Sequence, residues 1–161
     1  ENIAQRFSKI GSTPNLEKEN INTVTADFLD YFQSRTSSKV LFIKENPPYP
    51  VYVKMNKYLF EWVLENLCKN AVDAMNGVGT ITVTIYNDKQ FACVEISDTG
   101  KGIAAKNKKN IFEPGYTTKS RGWGLGLTLA KRIINDYHHG KIKIKSSTEK
   151  GTTFKIKLKK E

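Results

Sequence analysis

Apolar residues recur every three to four positions over three stretches of this chain and every second position over several shorter ones. Ile21, Val24, Phe28 and Phe32 (with Tyr31 beside it) predict an amphipathic helix over about 17–36. Asn56 is the expected N-cap of a second helix that runs to about Met75, where Asn76-Gly77-Val78-Gly79 stops it. Leu125–Tyr137 predicts a third. At the start of the chain, Ile3, Phe7 and Ile10 stand at helical spacing before Gly11-Ser12-Thr13-Pro14, a pattern expected of the tail of an upstream helix.

The period-2 segments are 80–86 and 91–97, joined by Asn87-Asp88-Lys89-Gln90, and 140–146 and 152–159, joined by 147–151. A short β-rich run covers 40–44, and Val51-Tyr52-Val53 is extended after a stretch holding Pro47, Pro48 and Pro50. Between Gly100 and Arg121 the periodicity dissolves into Lys, Asn, Gly and Pro, which predicts a long functional loop. The order predicts an α/β fold of the α+β kind, a two-layer sandwich. Its sheet is mixed and largely antiparallel, of about five strands, with about three helices on one face.

The 161 residues fit one domain, and 39% hydrophobic with 26% charged content is ordinary for a folded protein. No apolar run approaches the roughly 18–20 residues that cross a bilayer. The chain begins at Glu1, from which we expect a piece of something longer. Cys68 and Cys93 sit among apolar residues and predict buried free thiols, suited to a reducing compartment. The net charge of +10 raises nucleic-acid binding, but eight lysines against two glutamates lie in the last 21 residues. There they alternate, as Lys141-Ile-Lys143-Ile-Lys145 and Lys155-Ile-Lys157-Leu-Lys159, which predicts the wet face of a sheet instead.

Three clusters carry candidate chemistry. Asn66 and Asn70, four apart, share a helix face amid Val63, Leu64, Leu67 and Ala71. An unpaired buried amide costs about 1–3 kcal/mol, so the pair needs partners: backbone groups, or phosphate and a hydrated Mg²⁺. Asp98 ends a strand before Gly100 and Gly102. It serves either a turn or an adenine amine. Gly122-Trp123-Gly124-Leu125-Gly126-Leu127 opens a helix whose N-terminus favours an anion. Rossmann and P-loop patterns are absent. Thr117, Thr118, Lys119 and Arg121 lie just before, as triphosphate contacts or as a solvated basic loop.

Together these residues resemble the ATP-binding catalytic domain of sensor histidine kinases, in the superfamily shared with gyrase, heat-shock chaperone and mismatch-repair ATPases. Asn66-Leu-Cys-Lys-Asn70 resembles its asparagine box, Asp98-Thr-Gly-Lys-Gly-Ile103 its first glycine box, Ile111-Phe112-Glu-Pro its phenylalanine box, and Gly122 to Leu127 its second glycine box. The likeness covers about 40–159.

The resemblance implies ATP and Mg²⁺ as cofactors, with Asn70 the metal ligand and Asn66, Asn70 and Lys119 catalytic. It implies a nucleotide contact for Asp73, an adenine contact for Asp98, and a wall of Gly100, Gly102 and Ile103. Phe112 would anchor the ATP lid. Thr117, Thr118, Lys119, Arg121, Gly122, Gly124, Leu125, Gly126 and Leu127 would meet the triphosphate. Thr152 or Thr153 would reach Asp98 through a water. Trp123 departs from the usual small hydroxyl residue, and Asp73 from a basic one.

A histidine kinase phosphorylates a histidine on a preceding dimerisation domain. His138 and His139, after the last helix, are expected to be helix-end residues instead, and 1–12 the end of that other domain, with 13–161 the catalytic one. The resemblance thus implies a cytoplasmic catalytic piece of a homodimeric parent, of a kind that can be membrane-anchored. Its partners would be the phosphoacceptor domain of the same protein and a response regulator, with no nucleic acid; the piece alone would be a monomer. Two alternatives stay open. One is a chaperone- or gyrase-type relative that hydrolyses ATP itself, which usually carries a glutamate base where Asn66 stands. The other is a non-enzymatic nucleotide-binding scaffold.

Overall fold

A computed structural model describes residues 14–114 and 126–161. The described elements run β1 (Glu17–Asn20), α1 (Ile21–Gln33), β2 (Val40–Glu45), β3 (Tyr52–Met55), α2 (Lys57–Ala74), β4 (Gly79–Asp88) and β5 (Phe91–Asp98). A single 3-10 turn at Ala105–Asn107 precedes α3 (Gly126–Arg132), which continues as a π-helical turn over Ile133–Tyr137. The hairpin β6 (Lys141–Thr148) and β7 (Gly151–Lys159) closes the chain.

Five strands form one sheet in the order β2-β4-β5-β7-β6, while β1 and β3 pair separately. Only β2 against β4 is parallel; the other pairings are antiparallel. The parallel pair is joined through α2, as a crossover requires. Inward residues Ile81, Val83 and Ile85, Val94 and Ile96, and Phe154, Ile156 and Leu158 meet Phe60, Val63, Leu64 and Leu67 of α2 and Ile133 and Ile134. This is the expected two-layer sandwich. The first ten residues, expected as an upstream helix, lie outside the described residues.

The outer face of the sheet carries the alternating lysines, exposed along β6 as expected. Lys145 Nζ reaches both carboxylate oxygens of Glu95 at 3.0 and 2.9 Å, and the Tyr86 hydroxyl donates to that carboxylate too. Lys157 stands over the Phe91 ring, 4.3 Å from its centroid. Both cysteines are free and buried. Burial pushes the Cys68 thiol up to about 12, with Glu65 adding to the effect, so it is an inert part of the core.

The structure corrects two boundaries. Residues 17–20 are not helical: they pair with β3 (Glu17 opposite Met55, Asn20 opposite Tyr52), and the helix starts at Ile21. Asn20 is the reason, because its Oδ1 accepts from the amides of Asn22 at 3.1 Å and Val51 at 3.2 Å, capping α1 and pinning the next segment at once. The last helix loses its α geometry at Ile133, where five residues widen into a π turn. Asn56 caps α2 as expected, its Oδ1 accepting from the Leu59 amide at 3.1 Å.

Candidate nucleotide site

Period 2 along β5 sets Asp98 on the helix-facing side, in line with Ala92, Val94 and Ile96, so a carboxylate ends an apolar row. It is 8% exposed. Its Oδ1 accepts from the amides of Gly100 at 2.8 Å and Thr152 at 3.3 Å. Burial nonetheless raises its pKa, and these two hydrogen bonds offset only part of that. A half-desolvated carboxylate whose two bonds fall on one oxygen is an acceptor in want of a donor, and an exocyclic amine would supply one.

The loop after Asp98 is built into its surroundings. The Lys101 amide donates to the Ala74 carbonyl at the end of α2 at 3.1 Å. Gly102 has φ 78°, and a Cβ there would lie 2.0 Å from the Thr148 carbonyl oxygen. The Ile103 amide donates to Ser147 Oγ at 2.8 Å, and Ser147 Oγ pairs with Thr152 Oγ1 at 2.7 Å. The β6–β7 hairpin therefore clasps the glycine loop. Of Thr152 and Thr153, both expected near Asp98, the first donates its amide to that carboxylate. Thr153 lies opposite Ser97 and bonds its hydroxyl at 2.8 Å, on the face of the sheet away from Asp98.

At the other end stand the asparagines. Asn66 and Asn70 are partly buried on α2. Asn66 Nδ2 is buried and, among the described residues, has no hydrogen-bond acceptor. Gly126, the first residue of α3, is so close that a Cβ would lie 2.3 Å from Asn66 Oδ1. A phosphate oxygen is an acceptor such an amide lacks, and glycine at 126 is what lets the start of α3 come this close to Asn66. Asp73 is exposed on the following turn. Phe112 packs edge-on against Phe154, 6.3 Å between centroids, and its carbonyl accepts from Thr128 Oγ1 at 2.8 Å, tying the start of the loop to α3. Leu127 is half-buried in the same turn. Thr117, Thr118, Lys119, Arg121, Gly122, Gly124 and Leu125 lie outside the described residues.

Among the described residues no three His, Cys, Asp or Glu side chains gather as a metal cage. The amides fit a different kind of ion: Mg²⁺ keeps several waters and takes few protein ligands beside phosphate oxygens.

A carboxylate closing a strand, a clasped glycine loop and an asparagine helix facing a glycine-opened helix define an ATP-binding domain. Residues 56–161 match the family model described as histidine kinase-, DNA gyrase B- and HSP90-like ATPase, and the chain belongs to that family. Within it the sensor histidine kinases stand near. Sporulation kinase A of Bacillus subtilis is 40% identical over 69% of this chain and 18% of its own length. The signal transduction histidine-protein kinase AtoS of Escherichia coli is 35% identical over 88% and 24%. The chain thus spans about a fifth of these curated relatives. The nucleotide-free catalytic domain of histidine kinase ThkA superposes with a TM-score of 0.83 at 28% identity, covering 91% of this chain and 97% of that one.

Proposed function

We propose that this chain is the catalytic domain of a sensor histidine kinase, which binds ATP with Mg²⁺ and presents the γ-phosphoryl group to a histidine on the parent's dimerisation domain. The observations that carry the reading are a buried carboxylate at Asp98 with both of its described hydrogen bonds on one oxygen, and a buried Asn66 Nδ2 with no acceptor among the described residues. A nucleotide offers an amine to the first and phosphate oxygens to the second.

In this reading Asp98 orients the base, and the Asn66 amide donates to a phosphate oxygen. Asn70 would hold Mg²⁺, which when bound neutralises charge building on the transferred group. The work of the domain is positioning and charge neutralisation, with no covalent step on its own side chains. Lys119, with Thr117, Thr118 and Arg121, belongs to the same role as a cover over the triphosphate. Residues 1–12 are proposed as the end of the dimerisation domain. A response regulator is the proposed downstream partner; ThkA has been solved in complex with one. The parent is proposed to be a homodimer with this domain in the cytoplasm; no helix among the described residues is long and apolar enough to cross a membrane.

Glu65 favours phosphotransfer over self-contained hydrolysis. It sits about 100° round α2 from Asn66 and pairs with Lys69 at 3.2 Å on the outer side. It is therefore not aimed at a γ-phosphate as a general base. Titration of the chain with a non-hydrolysable ATP analogue and Mg²⁺ tests the binding, and mixing with a histidine-bearing dimerisation domain and labelled ATP tests the transfer. No binding at millimolar analogue, or binding that Asp98→Asn leaves unchanged, sinks the proposal. Brisk hydrolysis by the chain alone favours the ATPase reading instead.

A further inference from the structure

We propose that His138 is a positioning residue for the nucleotide site: its ring straps the foot of α3 to the base of α2 and thereby helps fix where Gly126, at the other end of α3, meets Asn66, midway along α2. The proposal rests on the ATP-site reading above.

His138 lies just past the π turn and is 6% exposed. Its Nε2 accepts from the Asn56 backbone amide at 3.1 Å. That assigns the ring proton to Nδ1, which donates to the Ile133 carbonyl at 2.8 Å. The same carbonyl accepts from the His138 backbone amide at 3.1 Å, the long-range bond of the π turn. Asn56 is the cap of α2, and its Nδ2 donates to the Asn15 carbonyl at 3.2 Å. One ring therefore joins the widened end of α3 to the residue that starts α2.

Along the length between, Ala130, Ile133 and Ile134 share the apolar core with Phe60, Val63 and Leu67 of α2, and Gly126 comes close to Asn66. Ten residues of α2, about 15 Å, separate Asn56 from Asn66. Apolar packing tolerates small slips, and the directional bonds of the strap remove that freedom: a shift at the foot moves Gly126 along the face that carries the asparagines. The π turn belongs to this arrangement. Each helical residue advances about 100°, so one residue fewer before His138 would aim the ring away from Asn56.

The strap depends on a neutral ring. Burial holds the His138 pKa below the ordinary value, with the Ile133 carbonyl acting oppositely and His139 beside it pushing down again; the Asn56 amide, a donor to Nε2, needs the neutral ring. From α2 the group facing the ring is the Asn56 amide, and from the π turn it is the Ile133 carbonyl; His139 is the titratable neighbour acting on it. A proton added at Nε2 would point at the Asn56 amide, donor against donor, and break the strap.

The test measures binding of a non-hydrolysable ATP analogue with Mg²⁺ by calorimetry, at about pH 7.5 and about pH 5.5, for the unaltered chain, His138→Leu and His138→Gln. Leucine keeps apolar volume and loses both bonds; glutamine keeps one acceptor and one donor and does not titrate. The Leu variant is expected to bind about tenfold more weakly at the higher pH. The Gln variant is expected within about twofold of the unaltered chain there, and to lose less affinity on acidification. The analogue's own phosphate titration is common to all three. Wild-type affinity in the Leu variant, with only its melting temperature lowered, overturns the proposal and leaves the ATP site standing. Should the Leu variant not fold, His138→Met takes its place, and unaltered affinity in that variant overturns the proposal equally. Failure of the unaltered chain to bind the analogue removes the ATP-site reading itself.

Discussion

The two ends of the pocket are built on opposite plans. At the Asp98 end almost every polar group has a partner within the chain: Gly100 and Thr152 on the carboxylate, Ser147 on Ile103, Ser147 on Thr152. Gly102 is packed so tightly that the hairpin and the loop form one body. At the Asn66 end a buried amide has no acceptor among the described residues, and the backbone of Gly126 packs close against the same side chain without satisfying it. The first end is finished by folding; the second, in the proposed reading, would be finished by a ligand. A change at the first should therefore act on stability as well as on binding, and a change at the second mainly on binding.

The sharpest attempt to break this comparison is Gly102→Ala. A Cβ 2.0 Å from a carbonyl oxygen, at φ 78°, forces the hairpin off the loop. The expected loss of unfolding free energy is about 2–4 kcal/mol, read by urea denaturation. A loss under about half a kcal/mol would mean the base end is not the rigid body described. Next comes Asp98→Asn, which keeps the shape but turns an acceptor into a donor toward the base. Analogue affinity should fall on the order of 10–100-fold while the fold survives.

Asn66→Ala gives a smaller and more telling result. Removing a buried, unsatisfied amide, with alanine the better helix former, should leave the melting temperature in the absence of nucleotide no lower than that of the unaltered chain. The rise in melting temperature on adding analogue should shrink, reflecting several-fold weaker binding. A large drop without nucleotide would show that Asn66 is a structural residue and collapse the distinction between the ends.

The smallest effect is on pH dependence. Asp98 has its pKa raised above the ordinary 3.8, so the folded chain keeps that proton to a higher pH than the unfolded chain. Its contribution to stability falls as pH rises through that window and stays lower above it. The melting-temperature gap between the unaltered chain and Asp98→Asn should thus shift in favour of the variant from about pH 4 to about pH 7. A gap constant across that range would remove burial as the dominant influence on Asp98.

Much of this was legible from residues alone because it rests on short-range chemistry. The Asn56 cap, the β4–β5 and β6–β7 hairpins and the wet lysine face each follow from spacing within a dozen residues. The misses share a cause. Glu17–Asn20 is a polar tetrapeptide with no alternation, and it becomes a strand only because β3, some thirty residues on, supplies backbone partners. The choice between Thr152 and Thr153 depends on which face of β7 meets β5, a register that adjacent residues do not reveal. The π turn at Ile133 leaves the hydrophobic period nearly intact, and its marker, a histidine reaching back to Asn56, spans 82 positions.

The bond from the Thr152 amide to Asp98 joins residues 54 apart, across the seam where β5 meets β7. Each flanking hairpin closes a short loop, whereas this seam closes a long one at greater entropic cost and is expected to zip later. In the proposed reading the adenine contact thus has no complete precursor in either hairpin. A chain halted before that meeting lacks the Thr152 bond to Asp98, so a nucleotide that needs it would draw the chain toward the finished sheet by mass action.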